Sequence, residues 1–141
     1  MSNKPAIAYW MISLPVLLET GVGAEWDLAR IKYTRDIFET IHFPLYFLTI
    51  LGIAKVLAVL ALLAPRLPRL KEWAYAGVFF VYAGATAAHL AVRDDAGIVM
   101  PLVFAALTLV SWGLRPPSRR DPAPLRLRPS VRPTRAPSPL K

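Results

Sequence analysis

Long apolar stretches dominate the chain, and four of them are long enough to cross a bilayer as helices. A bilayer core of about 30 Å is spanned by roughly 20 mostly apolar residues in an α-helix. The four stretches are 6–24, 43–64, 73–92 and 98–114. Their apolar residues lie all round the helix, whereas a soluble amphipathic helix keeps a polar face. The pattern predicts an all-α polytopic membrane protein with a four-transmembrane-helix bundle at 1–114. A soluble four-helix bundle with an apolar core is the alternative.

Two segments near the first stretch allow more than one interpretation. Between Glu25 and His42, apolar residues recur at near-helical spacing. This spacing favours a short helix lying on the bundle at the membrane interface, with an irregular loop as the alternative. The first stretch also resembles a secretory signal peptide, because Lys4 precedes it and 22–24 offers a small-residue cleavage site. Glu19 beside that site and the long apolar run favour a helix that is retained.

The positive charge of the chain is concentrated at its C-terminal end. The chain is 55% hydrophobic with a net charge of +8. Residues 115–141 hold eight basic residues and one acidic residue, together with eight of the fourteen prolines. Such a composition cannot form a packed core, so we expect a disordered basic tail. Its arginines suit an anionic lipid surface. We expect no binding to nucleic acid, since no aromatic residues alternate with the tail arginines.

The basic residues also predict the orientation of the helices in the membrane. Four spans place the N-terminus, the 65–72 connection and the tail on one side, where twelve Lys and Arg residues lie. The opposite side holds four. The positive-inside rule therefore puts both termini in the cytoplasm. We expect a multi-pass protein of a bacterial cytoplasmic (inner) membrane.

The residue inventory excludes several kinds of chemistry. The chain has no cysteine, which excludes disulfides, thiol nucleophiles and Cys-ligated metal or iron–sulfur sites. It has two histidines, so we expect no metal site. No glycine-rich phosphate loop or serine hydrolase motif is present. The sequence encodes no cofactor site by itself, and the isolated chain is more consistent with a non-enzyme.

The segment from Phe43 to His89 carries a recognisable set of short motifs. They read Pro44-Leu45-Tyr46, Leu51-Gly52-Ile53-Ala54-Lys55, Leu62-Leu63-Ala64-Pro65-Arg66, Lys71-Glu72-Trp73-Ala74-Tyr75-Ala76-Gly77 and Gly84-Ala85. This segment resembles the DoxX-like family of small bacterial membrane proteins with four helices. The resemblance gives a structural role to Pro44, Gly52, Pro65, Glu72, Trp73, Tyr75, Gly77 and Gly84. The chain departs from the family pattern at 41–43 and at Ala88.

The resemblance also has functional implications. Relatives of the family's namesake are linked to membrane redox complexes, including a thiosulfate:quinone oxidoreductase. A quinone is therefore a possible ligand of this chain, and membrane oxidoreductase subunits are possible partners. Small residues on the second and third spans permit close helix packing, either within the bundle or in a homo-oligomer.

Four ionisable or hydrogen-bonding residues inside the spans are candidates for a ligand site. Ionisable groups inside a bilayer are costly, so each needs a structural or functional reason. At 1.5 Å per residue, Glu19 and His89 share one layer of the bundle, while Lys55 and Tyr82 share the next. These four residues could line a pocket that binds a quinone or another polar-headed lipid. The alternative is a Glu19–Lys55 ion pair, with His89 and Tyr82 as interhelical hydrogen-bonding groups.

Glu72 has a simpler explanation than the residues inside the spans. It lies at a predicted membrane boundary near Arg66 and Arg69. A carboxylate at a helix N-terminus is stabilised by the helix dipole and by nearby cations.

Two functional hypotheses follow from these features. The first is an accessory or quinone-contacting subunit of a membrane redox system. The second is a non-catalytic scaffold or assembly protein with no ligand of its own.

Overall fold

The computed structural model describes residues 4–65 and 67–120, which form helices and short connections and contain no strand. Four helices are long: α1 (Lys4–Ala29), α3 (Tyr46–Leu63), α4 (Pro68–Ala91) and α5 (Asp95–Gly113). Two are short: α2 (Lys32–Thr40) and the single turn α6 (Pro117–Arg120). The predicted spans are therefore present, but three of the four helices extend beyond the apolar residues. Helix ends and apolar stretches differ because hydropathy marks the part of a helix that lies in lipid and not the whole hydrogen-bonded helix.

The four long helices form an antiparallel bundle with neighbours in chain order. α1 packs against α3 and α5, and α4 packs against the same two helices. Tyr9 lies beside Tyr75 at one end, and Thr20 lies beside Tyr82 further along, so the diagonal helices α1 and α4 run parallel. We refer to the two ends of the bundle as the α6 end, where the helix α6 lies, and the α2 end.

The core is small, and most of the bundle surface is apolar. The buried apolar residues that form one cluster are Val16, Ala61, Leu62, Ala74, Tyr75, Val78, Tyr82 and Ala105. Large apolar side chains such as Met11, Trp73 and Phe80 are exposed instead. Soluble monomers rarely expose apolar surface on this scale. The chain is therefore a multi-pass membrane protein, and the soluble alternative is wrong.

Each candidate span satisfies the length and hydropathy expected of a membrane helix. The four are Ala6–Ala29, Tyr46–Leu63, Pro68–Ala91 and Asp95–Gly113. No more than a third of the most apolar part of each span is buried within the bundle. The remaining apolar surface has a favourable environment only in lipid.

A separate helix, α2, occupies the connection between the first two spans. Residues 25–29 continue α1, so the connection is shorter than the interval from Glu25 to His42. Thr34 and Phe38 are the buried residues of α2. Phe38 packs edge-on against Phe43, with 6.1 Å between ring centroids. The connection is thus largely helical, and its location at the membrane interface stays a prediction.

Three helices end on a basic residue with a left-handed backbone. Arg30, His42 and Arg93 have φ angles of 50°, 58° and 58°, after α1, α2 and α4 respectively. In each case the next backbone N–H donates to a carbonyl five residues earlier, at 3.2, 2.8 and 3.0 Å. This is the Schellman arrangement, which glycine usually provides because a side chain makes it costly.

Candidate functional site

Lys55 lies in a buried polar cluster near the α2 end. Its ammonium donates to Oδ2 of Asp27 at 2.8 Å, and the two side chains are 12% and 5% exposed. Glu19 lies on the same side, because a Cβ added at Gly23 would be 3.1 Å from Lys55 Nζ and 3.7 Å from Glu19 Oε1. Gly23 therefore leaves room for both side-chain ends. We call Glu19, Asp27 and Lys55 the Lys55 cluster.

The partner of Lys55 differs from the one expected. The alternative reading of the sequence paired Lys55 with Glu19, but Asp27 makes the ion pair. The expectation was wrong because it ended the first span at Ala24, which left Asp27 outside the membrane. Glu19 keeps one carboxylate oxygen, Oε2, buried without a hydrogen-bond partner among the described residues.

A periodic signal in α1 could have identified Asp27. Ser13, Thr20 and Asp27 recur at seven-residue intervals in the sequence, and the structure buries all three together with Val16 and Ala24. This is the spacing of one helix face. Glu19 is one residue away from that stripe. Continuing the stripe past Ala24 predicts that Asp27, and not Glu19, points most directly into the bundle.

Tyr82 is buried beside Thr20 in the middle of the bundle. Their hydroxyls share a hydrogen bond of 2.9 Å, which links α4 to the diagonal helix α1. The ring of Tyr82 stacks on Phe104, with 5.5 Å between centroids. The expectation of an interhelical hydrogen bond at Tyr82 is confirmed.

His89 belongs to a different part of the molecule. Its Nδ1 lies 2.8 Å from Oδ2 of Asp94, the residue that caps α5 by accepting from the N–H of Gly97. A Cβ at Gly97 would be only 2.2 Å from His89 Nδ1, so this turn requires glycine. His89 therefore fixes the turn between α4 and α5, and its bonded partners are not members of the Lys55 cluster.

A groove of about 220 Å³ runs between α3 and α4. Small residues form much of its wall, including Ala54 and Ala58 on α3 and Gly77 on α4. Lys55 and Tyr82 line the end of the groove nearer α2, together with Thr20. Of the four candidate residues, the groove thus brings Lys55 and Tyr82 together, while Glu19 and His89 do not line it. We call it the α3/α4 groove.

The motif glycines and prolines have separate structural roles. Gly52 permits close packing of α3 on α1, because a Cβ there would lie 2.7 Å from Cγ of Leu28 and 3.1 Å from the carbonyl oxygen of Ala24. Pro44 precedes α3 and Pro65 follows it. Gly77 and Gly84 have open space where a Cβ would stand.

A profile of the DoxX-like family matches residues 11–111, which include most of the four long helices. The chain belongs to the DoxX-like family. Searches of curated proteins and of solved structures returned no match. The family match covers the whole Lys55 cluster and every residue that lines the α3/α4 groove.

The α6 end of this DoxX-like bundle contains a buried hydroxyl network that the sequence did not suggest. Tyr75 lies 2.8 Å from Ser111, and Ser111 lies 2.7 Å from Ser13. Tyr9 joins the network at 3.2 Å from Tyr75. The residues come from α1, α4 and α5, so the network joins three helices by hydrogen bonds that lipid cannot replace.

Lys71 caps α3 from the neighbouring helix. Its side chain is buried, with the residue only 2% exposed, and its ammonium donates to the carbonyls of Ala61, Leu62 and Ala64. These carbonyls lie at the C-terminal end of α3, where intrahelical donors are missing. A positive charge there is also favoured by the helix dipole. Lys71 is therefore a structural residue within the fold rather than a free loop charge.

Glu72 binds residues from beyond α4. Its carboxylate accepts from Arg115 at 2.6 Å and from the indole N–H of Trp112 at 2.7 Å. The sequence suggested that nearby cations stabilise this carboxylate. A cation does bind it, but that cation is Arg115 and not Arg69. Arg66 lies outside the described residues.

The folded part of the chain extends past Leu114, where the sequence suggested that the tail begins. Arg115 is buried and its guanidinium lies over Tyr75, 5.1 Å from the ring centroid. Arg119 lies over Trp10 at 4.7 Å and donates to the carbonyl of Leu62 at 3.3 Å. We call Arg115 and Arg119 the arginine latch. The predicted disorder of 121–141 concerns residues outside the described part.

The described residues hold no group of three or more His, Asp or Glu side chains placed to bind a metal ion. The ionisable residues of the bundle instead form pairs and caps. Among these arrangements, the Lys55 cluster beside the α3/α4 groove is the one best placed to bind a ligand.

Proposed function

We propose that this DoxX-like protein is an accessory subunit of a membrane redox system, and that it holds a quinone in the α3/α4 groove. The observation that carries the proposal is that Lys55 and Tyr82 line one end of an apolar groove of about 220 Å³. Ligand sites are commonly apolar clefts with a few placed polar groups. A quinone has the matching form, since it joins a polar ring to an apolar tail.

The hydrogen-bonding capacity left at this end suits a head group that accepts hydrogen bonds. The Lys55 ammonium has three donors and uses one on Asp27. The shared bond between Thr20 and Tyr82 consumes one hydroxyl proton of the two. Donors therefore remain, and quinone carbonyls are acceptors. A bound quinone would supply the electron and proton chemistry, while the chain holds its head and shields its tail.

The accessory role rests on the composition of the chain. It has no cysteine, so it cannot itself ligate an iron–sulfur cluster through thiolates. A quinone held in the groove would exchange electrons with neighbouring oxidoreductase subunits. We place the protein in the bacterial cytoplasmic membrane with the α6 end inside, because basic residues concentrate at that end. There the tail arginines would contact anionic lipids.

The test is retention of quinone by the purified protein. Gly77→Leu places a bulky side chain at the groove wall, and its Cβ has open space, with nothing within 4 Å. Gly84→Leu is the matched control, since it makes the same change on the same helix, also in open space, but outside the groove. We expect Gly77→Leu to lower the amount of quinone that co-purifies in mild detergent, and Gly84→Leu to leave it unchanged.

A second readout uses the tryptophan that lines the groove. Trp73 is exposed at the groove wall, so a short-tailed benzoquinone bound there should quench its fluorescence. The Trp73→Phe variant identifies the share of quenching that belongs to this residue. If wild type carries no quinone and Gly77→Leu changes neither readout, the scaffold hypothesis replaces this proposal.

A further inference from the structure

We infer that Asp27 makes the α3/α4 groove selective for uncharged head groups and excludes anionic phospholipids. This inference rests on the proposed function, since it concerns the ligand class of the same groove. Asp27 had no role in the sequence-based candidate site. Its importance arises from the ion pair with Lys55, the one cation that lines the groove among the described residues.

The Lys55 cluster has no net positive charge to attract an anion. Asp27 neutralises Lys55 at 2.8 Å, with both side chains largely removed from solvent. Glu19 adds a second carboxyl group on the same side of Gly23. The cluster therefore carries a charge of −1 with both carboxylates ionised, and zero with one protonated. In neither case does it present net positive charge to a ligand.

Among the described residues, the other cations near the α2 end do not line the groove. Arg30 is also near the α2 end, but its guanidinium donates to the Thr49 hydroxyl at an exposed position. Lys32 pairs with Asp36 on the exposed surface of α2. Neither residue lines the groove. A phosphate entering the groove would thus meet one cation, Lys55, whose charge is already balanced by Asp27.

Lys55 can still donate hydrogen bonds although its charge is balanced. An ion-paired ammonium still has free N–H donors, so Lys55 can bind a neutral carbonyl oxygen. A phosphate also accepts hydrogen bonds, but its charge is repelled by Asp27 and Glu19, and repulsion is strong where water is scarce. The ion pair with Asp27 therefore leaves Lys55 able to donate hydrogen bonds but cancels its attraction for anions. Lys71 offers no such donor, because it spends its hydrogen bonds on three carbonyls of α3.

The experiment compares the lipids retained by variants that remove one negative charge. Full-length protein is reconstituted in nanodiscs with phosphatidylcholine, phosphatidylglycerol and a long-chain quinone, re-extracted in mild detergent, and analysed by mass spectrometry. Asp27→Asn preserves the shape and an oxygen acceptor for Lys55. Asp36→Asn is the control, because it removes the same charge from an ion pair whose side chains are 80% and 54% exposed.

We expect Asp27→Asn to lower the ratio of retained quinone to phosphatidylglycerol by about tenfold, which corresponds to roughly 1.4 kcal/mol. Asp36→Asn should leave the ratio at the wild-type value. Glu19→Gln provides a second variant of the same cluster and should shift the ratio in the same direction. Because Oε2 of Glu19 has no hydrogen-bond partner among the described residues, Glu19→Gln removes a charge without breaking a bond of that atom. It therefore tests the effect of cluster charge even if Asp27→Asn folds poorly.

The outcomes distinguish this inference from the proposed function. If Gly77→Leu reduces lipid retention but neither charge variant changes the ratio, the selectivity inference is wrong and the groove remains a ligand site. The selectivity inference is also wrong if the wild-type protein retains phosphatidylglycerol and quinone equally and Gly77→Leu lowers both. If Gly77→Leu affects no retained lipid, the proposed function itself fails.

Discussion

Arg115 should contribute substantially to the stability of the bundle, although it lies in a segment with the composition of a disordered tail. The perturbation is Arg115→Gln, which keeps a polar side chain but removes the charge and the planar guanidinium. Arg115 is bonded to Glu72 at 2.6 Å and to the carbonyl of Trp112 at 3.0 Å. It also lies over the rings of Tyr75 and Trp112, at 5.1 and 5.4 Å.

The magnitude follows from these contacts. The ion pair contributes about 1 kcal/mol, since the Glu72 side chain is 45% exposed. The two cation–π contacts contribute roughly 0.5–1 kcal/mol each, and the hydrogen bond contributes about 1 kcal/mol. Nη1 of Arg115 is buried without a hydrogen-bond partner among the described residues. Removing this unsatisfied group offsets about 1 kcal/mol of the loss. Arg115→Gln should therefore lower the free energy of unfolding by about 2–3 kcal/mol.

The assay is equilibrium unfolding by SDS titration in mixed micelles, followed by circular dichroism. Arg69→Gln is the control, because Arg69 is exposed at the same end of the bundle and forms no side-chain hydrogen bond or ion pair with the described residues. Deletion of 121–141 should have little effect, whereas deletion of 115–141 should cost at least as much as Arg115→Gln. Equal stability of the Arg115→Gln and Arg69→Gln proteins, or of the two deletions, would refute a folded role for the arginine latch.

Three further predictions use the same unfolding assay. Lys71→Met should destabilise the bundle by about 2–3 kcal/mol, because three carbonyls at the end of α3 lose their donor; a loss below 0.5 kcal/mol would contradict the cap. Gly97→Ala should cost about 1–3 kcal/mol, since its Cβ would meet Nδ1 of His89 at 2.2 Å, while Gly84→Ala should raise stability by up to about 1 kcal/mol. His42→Gly should stabilise by roughly 1 kcal/mol, because its φ of 58° costs a side chain more than glycine; no gain would mean that His42 has compensating contacts.

The membrane fold was predictable because it depends on a property summed over many residues. A run of about 20 apolar residues has few alternatives to a spanning helix. Helix ends were less predictable, because caps and ion pairs set them locally. α1 continues to Ala29 although Glu25 and Asp27 interrupt the apolar run, since Asp27 finds Lys55 within the bundle. Such pairing depends on the neighbouring helix and cannot be read from one segment.

The candidate site was only partly predictable for a related reason. Depth along each span placed Lys55 and Tyr82 in one layer, and both do line the α3/α4 groove. Depth gives no information on the rotation of a helix, which decides whether a side chain faces the bundle or a turn. His89 was assigned to a shared pocket by its depth, whereas its ring is fixed by Asp94 in the α4–α5 turn.

Two lysines illustrate why position along the chain does not determine the role of a charge in this bundle. Lys71 was counted with the basic loop residues, yet it is almost fully buried and caps a helix end. Lys55 lies inside a span and also has a buried partner, Asp27, but that partner uses only one of its three donors. The number of donors left after internal bonding is what separates a structural cation from one able to bind a ligand. By that criterion Lys71 is committed to the fold, and Lys55 is the cation through which the α3/α4 groove can recognise a polar head group.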